Sequence, residues 1–312
     1  MKNTHLLLLL LLIGTTATGK VFSQEYSYND LNKTPQNNIE VGVTIGANNF
    51  LGDLGGNLGK GRDFLKDYNF KTVRPLIGLS LNYYPLRWLN INTGINFTGV
   101  TGADSLIKNE GGLEKWRYNR NLSFKSAIVE GFISAEVYPL YAIRPDFVLK
   151  RLTPYAAIGI GFFHFNPKTK YNGQWVELKP LRLEGEGFAE YPYSKPYNLM
   201  QVYVPITFGL KYTINQNFNL LGGMLLRITN TDNIDDVSSK YIDPTLFNKY
   251  LSPTQAALAK NLYSRSKTPW KVRPGVDRAD SHGNRTDSYL TFFLTLRYTL
   301  SSAHNYYDCW HP

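Results

Sequence analysis

Residues 289–300, YLTFFLTLRYTL, decide the fold of this chain because their apolar side chains recur at every second position. The apolar positions are Leu290, Phe292, Leu294, Leu296, Tyr298 and Leu300, and the positions between them include Thr291, Thr295, Arg297 and Thr299. Successive side chains of a β-strand point to opposite faces of the sheet. A period of two therefore predicts a strand with one apolar face and one polar face.

Seven further runs repeat this alternation, at residues 39–47, 73–84, 89–99, 121–138, 153–165, 201–214 and 218–229. Their lengths are close to the roughly 9–11 residues that a tilted strand needs to cross a bilayer. The connections between the runs alternate between long and short. The long ones are 48–72, 100–120, 166–199 and 230–288, and the shorter ones are 85–88, 139–152 and 215–217. This spacing is typical of outer-membrane barrels with both chain termini in the periplasm.

The sequence thus predicts an all-β fold, an eight-stranded antiparallel transmembrane β-barrel over residues 39–300 with four long extracellular loops and short periplasmic turns. A soluble barrel such as a lipocalin also alternates, but its apolar face points inward and its outer face carries many charges. Here the polar face carries mainly Gly, Asn, Ser and Thr, which suit the narrow interior of an eight-stranded barrel. The apolar face is therefore predicted to contact lipid.

Composition excludes several other classes of protein. The chain has 312 residues, of which 43% are hydrophobic and 19% are charged, and its formal net charge is +10. This apolar content excludes a disordered chain. The longest apolar run, residues 6–13, has eight residues, whereas a membrane-spanning helix needs about 20. The single cysteine excludes an intrachain disulfide and any multi-cysteine zinc or iron–sulfur cluster.

The first 23 residues have the layout of a secretory signal peptide. Lys2 supplies the positive n-region, residues 6–12 are the apolar h-region, and residues 21–23 (VFS) suit cleavage before Gln24. A buried N-terminal helix is the alternative, although a run of seven leucines has no polar face. We expect a protein integral to the outer membrane of a Gram-negative bacterium. Its mature parts are a periplasmic segment, the barrel and a C-terminal tail, at residues 24–38, 39–300 and 301–312.

Six charged side chains fall on the polar faces of the predicted strands: Glu40, Glu130, Glu136, Lys211, Arg227 and Arg297. The three acids balance the three bases, and an unpaired charge inside a barrel would be costly. We therefore expect a hydrogen-bonded charge network that fills the lumen and leaves no open pore. A proton or ion relay is the alternative role for these residues.

Aromatic residues and prolines gather near the strand ends on the short-turn side. The residues concerned are Pro85, Trp88, Tyr138, Pro139, Tyr212 and Tyr298. Outer-membrane barrels carry girdles of aromatic side chains at the membrane interface. The pattern predicts such a girdle, and the alternative is that these aromatics are ordinary strand formers.

The glycine-rich segment 50–60, FLGDLGGNLGK, resembles a phosphate-binding loop. A P-loop would require Gly at position 54 and Ser or Thr at position 61, where this chain has Leu54 and Gly61. We therefore interpret the segment as a turn-rich loop without a nucleotide site.

The last long connection is predicted to contain two short helices and a basic stripe. Asp243-Pro244 and Ser252-Pro253 each look like a helix N-cap followed by proline, which predicts helices over 244–250 and 253–264. The basic side chains that follow are Lys260, Arg265, Lys267, Lys271, Arg273 and Arg278, opposed only by Asp277. Such a stripe at the cell surface is expected to bind lipopolysaccharide phosphates or a partner, or else to be a solvated loop. Nucleic acid is not expected, because no binding motif accompanies the charge.

The sequence gives little support for catalysis or for metal binding. The mature chain has His164, His282, His304 and His311, and no serine with an orienting acid is clearly placed for a triad. The tail also holds Cys309, but a metal site needs three or four converging ligands. We expect no enzyme activity, no cofactor and no metal, and Cys309 is predicted to be a free thiol or to pair with another chain. A barrel hydrolase is the alternative that lipid-release assays would test.

Five stretches give the chain a resemblance to a known family. They are residues 50–55 (FLGDLG), 121–126 (NLSFKS), 153–167 (TPYAAIGIGFFHFNP), 231–238 (TDNIDDVS) and the closing strand from Ser288. In their order and spacing they resemble the PorG-like outer-membrane barrels of the type IX secretion system. The resemblance implies an eight-stranded barrel without enzyme activity that lies beside a periplasmic ring of PorK- and PorN-like proteins. The tail beyond Leu300 and the basic segment 260–278 do not match that pattern.

These observations lead to two hypotheses for function. In the first, the barrel serves type IX protein secretion and contacts the ring through the longest periplasmic turn, 139–152. The contact residues that we predict in that turn are Arg144, Asp146, Lys150 and Arg151. In the second, the barrel binds a ligand or acts as an adhesin through the long loops 166–199 and 230–288.

Overall fold

The computed structural model describes residues 38–54, 69–107, 115–143, 151–215, 217–269, 272–279 and 286–300. The predicted signal peptide, nearly all of segment 24–38 and the tail with Cys309 lie outside the described residues. The described part contains nine strands: β1 (Asn38–Leu51), β2 (Arg74–Leu86), β3 (Leu89–Ala103), β4 (Ser123–Val137), β5 (Leu152–Tyr171), β6 (Gln174–Glu177), β7 (Met200–Thr213), β8 (Phe218–Thr229) and β9 (Ser288–Leu300).

Eight of these strands form one closed antiparallel barrel. Each pairs with the next around the ring β1-β2-β3-β4-β5-β7-β8-β9, and β9 pairs back onto β1. The closing pairing places Ile39 opposite Leu300, so the first and last barrel strands begin and end at the same rim. The predicted eight-stranded antiparallel barrel is confirmed. We call the rim with the short connections the turn end and the opposite rim the loop end.

The outer surface of the barrel is apolar. On four different strands, Ile45, Leu79, Ile158 and Leu294 are 59%, 59%, 59% and 52% exposed. Soluble monomers rarely expose a contiguous apolar patch larger than a few hundred Å². An apolar band that runs around the whole barrel is the surface that a transmembrane barrel presents to lipid. Within the described part of the chain, no helix is long and apolar enough to cross a membrane.

Aromatic side chains mark the outer surface at the turn end, with one exception to the prediction. Trp88, Tyr212 and Tyr298 are exposed there, 38–39% each. Tyr138 is buried, and its hydroxyl donates a hydrogen bond to the carboxylate of Glu136. Its assignment to the girdle was wrong because positions 136 and 138 are separated by one strand period and point inward together.

Strand β5 is much longer than the predicted run 153–165. It continues to Tyr171, and beyond the loop-end rim it forms a hairpin with β6. The turn residues Asn172 and Gly173 have φ values of 47° and 84°. Two positive φ values suit a type I′ turn, for which Asn-Gly is a preferred sequence. The long loop 166–199 therefore begins with a rigid hairpin.

Glycine makes room for two tyrosine rings between β5 and β7. Tyr155 lies opposite Gly209, and Gly161 lies opposite Tyr203. A Cβ atom at Gly209 would lie 2.8 Å from two carbons of the Tyr155 ring. The inward-facing glycines therefore let large rings fill the interior without forcing the strands apart.

Residues of the long loops pack into a compact layer over the loop end, which we call the loop layer. Its described helices are α1 (Lys115–Arg120), α3 (Phe247–Tyr250) and α4 (Pro253–Leu262), with 3₁₀ turns at Asp104–Leu106, Lys179–Leu181 and Pro244–Leu246. A further helix, α2 (Pro139–Ile143), lies at the turn end, and a 3₁₀ turn at Phe70–Thr72 precedes β2. The predicted N-caps are confirmed: Asp243 Oδ1 accepts from Thr245 N at 2.9 Å, and Ser252 Oγ accepts from Gln255 N at 3.4 Å.

The loop layer has an apolar core that is continuous with the barrel interior. Leu54, Leu183, Ile234 and Phe247 are 0–3% exposed and belong to the same buried cluster as Phe163 on β5. This burial is what orders the long loops, because a surface loop without such a core cannot offset the loss of chain entropy.

Candidate functional site

The lumen contains two layers of ion pairs, and the first lies near the turn end. The guanidinium of Arg297 binds Glu136 through two hydrogen bonds, of 2.9 Å (Nη1–Oε1) and 2.7 Å (Nη2–Oε2). Lys211 Nζ lies 3.7 Å from Glu40 Oε1. The hydroxyl of Tyr84 joins the two pairs, because it donates to Glu40 at 2.9 Å and accepts from both Lys211 and Arg297 at 3.1 Å.

The second layer lies nearer the loop end. Arg227 Nη2 lies 2.5 Å from Glu130 Oε1, and both side chains are fully buried. Glu130 also accepts hydrogen bonds from Asn96 Nδ2 at 2.8 Å and from the Tyr289 hydroxyl at 2.7 Å. Arg227 Nη1 donates to Thr291 Oγ1 at 2.6 Å, and the guanidinium lies over the Tyr289 ring.

All six charged residues that we placed in the lumen from the sequence lie there, at 0–6% exposure. Each acid faces at least one base, and the charges balance within each layer. A cavity of about 60 Å³ separates the layers, and its lining includes Ser80, Asn92, Thr207 and Thr295. Ion pairs and their hydrogen-bond partners therefore occupy the described lumen at two levels, on either side of this cavity.

The loop layer holds a second set of buried charges that sequence reasoning missed. Arg120 binds Asp104 through Nε at 2.8 Å and Nη2 at 2.9 Å, and its Nη1 donates to the carbonyl of Arg278 at 2.7 Å. Arg278 in turn binds Glu184 Oε1 at 2.9 Å and the carbonyl of Asp236 at 2.6 Å. These bonds join the loops after β3, β5 and β8 into one network.

Acids outnumber bases where these loops meet. Glu184, Glu186 and Asp236 are buried around the single guanidinium of Arg278. Burial, helped by the negative charges of Asp236 and Glu184, raises the pKa of Glu186 to about 8. Burial raises the pKa of Asp236 to about 7 against the opposing effects of Arg278 and a 2.6 Å hydrogen bond from the Tyr197 hydroxyl. The second oxygen of Asp236 has no hydrogen-bond partner among the described residues, which also favours protonation.

The basic stripe predicted over 260–278 is only partly a surface feature. Lys260, Lys267 and Arg273 are exposed, and Lys271 lies outside the described residues. Arg278 is buried at 2% exposure, so its inclusion in a surface stripe was wrong. Counting charges along the chain could not show that Glu184, 94 residues earlier, would neutralise it.

Most of the residues that we predicted to contact a periplasmic ring, or considered for catalysis or metal binding, lie outside the described part of the chain. Arg144, Asp146 and Lys150 lie outside the described residues, and Arg151 is exposed at the turn end. His164 lies on the exposed outer face of β5. His282, His304, His311 and Cys309 lie outside the described residues. Among the residues that are described, no three His, Cys, Asp or Glu side chains are grouped to hold a metal ion.

Several solved structures resemble the chain, while no protein-family model and no curated protein sequence matches it. The N-terminal β-barrel domain of OprF from Pseudomonas aeruginosa is 9% identical, and the match covers 85% of this chain and 98% of that one, with a TM-score of 0.33. For Ail, the attachment invasion locus protein of Yersinia pestis, the identity is 7%, the coverage 85% and 100%, and the TM-score 0.37. A major outer membrane protein from Thermus thermophilus is 12% identical, with coverage of 84% and 99% and a TM-score of 0.34. No functional conclusion rests on likenesses this distant.

Replacing Arg227 with Met is expected to destabilise the barrel by about 3–5 kcal/mol, because Glu130 would stay buried without its partner. The double variant Arg227→Met/Glu130→Gln should recover most of that loss. Urea-induced unfolding in detergent micelles, followed by tryptophan fluorescence, measures both. Glu177→Gln is the control, since its exposed pair with Lys168 is expected to contribute less than about 1 kcal/mol. Equal losses in Arg227→Met and the control would contradict the assigned pair.

The loop layer is expected to be more stable at pH 6 than at pH 9. The pKa values of Glu186 and Asp236 are raised in the folded chain above their ordinary values of 4.5 and 3.8. The folded chain therefore binds these two protons more tightly than the unfolded chain does. The resulting contribution to folding stability is complete below those ordinary values and is lost as the pH rises through about 7–8.

Hydrogen exchange of peptides spanning 178–199 and 230–243, corrected for the intrinsic effect of pH, measures this dependence. Glu186→Gln should flatten the profile because the amide keeps the shape of the side chain without its charge. Glu190→Gln should leave the profile unchanged, since Glu190 is exposed and its pKa is lowered to about 2 by hydrogen bonds from Lys249 and Tyr250. A profile that is identical in all three proteins would rule out this origin.

Proposed function

We propose that this protein is a non-enzymatic outer-membrane barrel that acts as a membrane anchor for partner proteins. The observation that carries the proposal is the packed lumen, in which two balanced layers of buried ion pairs occupy the interior at two levels. A barrel of this kind offers its two ends, rather than its interior, for function. In this proposal the strand termini and the short turns face the periplasm, and the loop layer faces the cell exterior.

We further propose that the partner is the periplasmic ring of a type IX secretion system, made of proteins similar to PorK and PorN. The support comes from the resemblance to PorG-like barrels and from where its motifs lie. The backbone N–H of Leu54, in the motif at 50–55, donates to Asp235 Oδ2 in the motif at 231–238 at 3.0 Å. The motifs at 121–126 and 153–167 meet where Ser126 on β4 lies opposite Pro167 on β5. Motifs that contact one another are easier to explain by a shared architecture than by chance matches.

The turn between β4 and β5 is the surface that we propose for ring contact. Its helix α2 ends at Ile143, which is 74% exposed. At the other end of the turn, the carbonyl of Arg151 accepts a hydrogen bond from Thr213 N at 2.8 Å, and its side chain is exposed. The exposed Ile143 and the basic residues of the turn suit a partner surface with an apolar patch beside acidic groups.

A second candidate function is ligand binding or adhesion at the cell surface. The observation that favours it is the loop layer, whose apolar core and buried ion pairs give residues 178–199 and 230–269 one defined surface. Rigid loops on a stable scaffold are a common way to build a binding surface.

The purified barrel is expected to show no large, steady conductance in planar lipid bilayers. The double variant Arg297→Ala/Glu136→Ala serves as the comparison, because it removes the main pair of the turn-end layer and should raise the frequency of brief openings. A large and stable conductance in the unmodified protein would contradict a filled lumen and remove the basis of the anchor proposal.

Reversing the turn charges by Arg144→Glu, Lys150→Glu and Arg151→Glu is expected to reduce recovery of the ring proteins by at least about tenfold, which corresponds to about 1.4 kcal/mol. The measurement is an affinity pull-down from gently solubilised native outer membrane, with mass spectrometry of the co-purifying proteins. Lys260→Glu, Lys267→Glu and Arg273→Glu change the charge equally at the loop end and serve as the control. Undiminished recovery with the turn variant would reject this docking surface, and no ring proteins with the unmodified barrel would reject the type IX assignment.

A further inference from the structure

A groove of about 550 Å³ lies on the loop layer, away from the lumen. One wall is the tip of the β5–β6 hairpin, with Lys170, Tyr171 and Asn172, and the other wall is the segment that follows helix α4. The second wall consists of Asn261, Tyr263, Ser264, Arg265, Ser266, Pro269 and Val272. This volume lies within the range of about 300–1,000 Å³ that is usual for small-ligand sites.

One hydrogen bond ties the two walls to each other, and a second ties one wall to the loop before β4. Arg265 Nη2 donates to the carbonyl of Lys170 at 2.6 Å, which ties the segment after α4 to the hairpin. Asn121 Nδ2 donates to the carbonyl of Arg265 at 3.3 Å. The groove is therefore built before any ligand arrives, which lowers the entropy that binding must lose.

The charge of the groove is positive and unopposed. Its lining includes Lys170 and Arg265, and it contains no Asp or Glu. Neither cation forms an ion pair with a described residue, and the nearby Glu177 is already bound to Lys168 at 2.8 Å. Lys260 and Lys267, which are next in sequence to the lining residues Asn261 and Ser266, are also exposed. A site of this charge favours an anionic ligand.

The uncharged part of the lining restricts the ligand further. Two Asn amides and two Ser hydroxyls offer donors and acceptors together, whereas only Pro269 and Val272 are aliphatic. Tyr171 and Tyr263 are half-buried and add aromatic faces with polar hydroxyl tips. The groove thus combines cations that bind phosphate or sulfate, amides and hydroxyls that bind sugar hydroxyls, and aromatic faces. These are the groups expected in a site for an anionic sugar.

We propose that this groove binds a phosphorylated or sulfated saccharide, with Arg265 and Lys170 holding the anionic group. The site goes beyond the proposed ring contact and is independent of it, because the groove and the turn 139–152 lie at opposite ends of the barrel. The anionic sugar comes either from the lipopolysaccharide of the same membrane or from a soluble sulfated glycan.

Titration calorimetry on the full mature barrel in detergent micelles tests the proposal with three defined probes. The first is the deacylated, phosphorylated disaccharide backbone of lipid A, the second is a sulfated chondroitin disaccharide, and the third is neutral lactose. At least one anionic probe is expected to bind ten times more tightly than lactose, and its affinity should fall as salt is raised. Binding of the phosphorylated probe alone indicates the membrane as the source, and binding of the sulfated probe alone indicates a soluble glycan.

Two variants locate the site and one controls for general charge. Lys170→Gln and Arg265→Gln are each expected to weaken the bound anionic probe by at least fivefold. Lys170 is exposed at the hairpin tip, so its variant should fold normally even if Arg265→Gln disturbs the segment after α4. Arg273→Gln removes the same charge outside the groove and should change the affinity by less than twofold.

The proposal is overturned if no anionic probe binds more tightly than lactose, or if Arg273→Gln weakens binding as much as Lys170→Gln. Either result leaves the ring contact untouched, because that contact is measured by co-purification with the turn variant. Loss of ring recovery in the turn variant would likewise leave sugar binding intact.

Discussion

The structure depends on one constraint: the interior of an eight-stranded barrel is narrow and must be filled largely by its own side chains. Every charge that enters such an interior loses hydration and needs a partner of opposite sign. In this chain each of the three lumen acids, Glu40, Glu130 and Glu136, lies against a base, and tyrosine hydroxyls bridge the pairs. The same constraint explains the inward-facing glycines, which give space to the rings of Tyr155 and Tyr203.

The barrel could be predicted from the sequence because the side chains of a strand alternate with a period of two. This alternation can be recognised without knowing which strands pair with one another. It identified the eight strands and the lumen charges. Where the rule was set aside in favour of residue type, the result was wrong: Tyr138 was assigned to the lipid girdle as an aromatic, although its position follows Glu136 by two. The hairpin beyond β5 was missed because a signal from residue type was overlooked. Asn172-Gly173 is a preferred turn sequence, but it lies in a segment that the sequence analysis assigned to a loop.

The loop layer could not be predicted, and the reason is distance along the chain. Its stability comes from contacts such as Leu54 with Asp235 and Glu184 with Arg278, which are separated by 181 and 94 residues. No periodic pattern connects such positions. Charge counting therefore assigned Arg278 to the surface, and it gave no reason to expect buried acids near Glu186. The groove arises from the same long-range contacts, because its two walls come from loops about 95 residues apart.

The pairing of β1 with β9 has a consequence for how the protein reaches its folded state. The hydroxyls of Thr44 and Thr295 lie 2.8 Å apart although 251 residues separate them in sequence. The ring cannot close before the last strand has been synthesised, and contacts of such high sequence separation form slowly. Until then the growing chain has two unpaired strand edges and an apolar face, which together promote aggregation. A chain with these properties is protected from aggregation only once β1 and β9 have paired and the ring has no strand edge left.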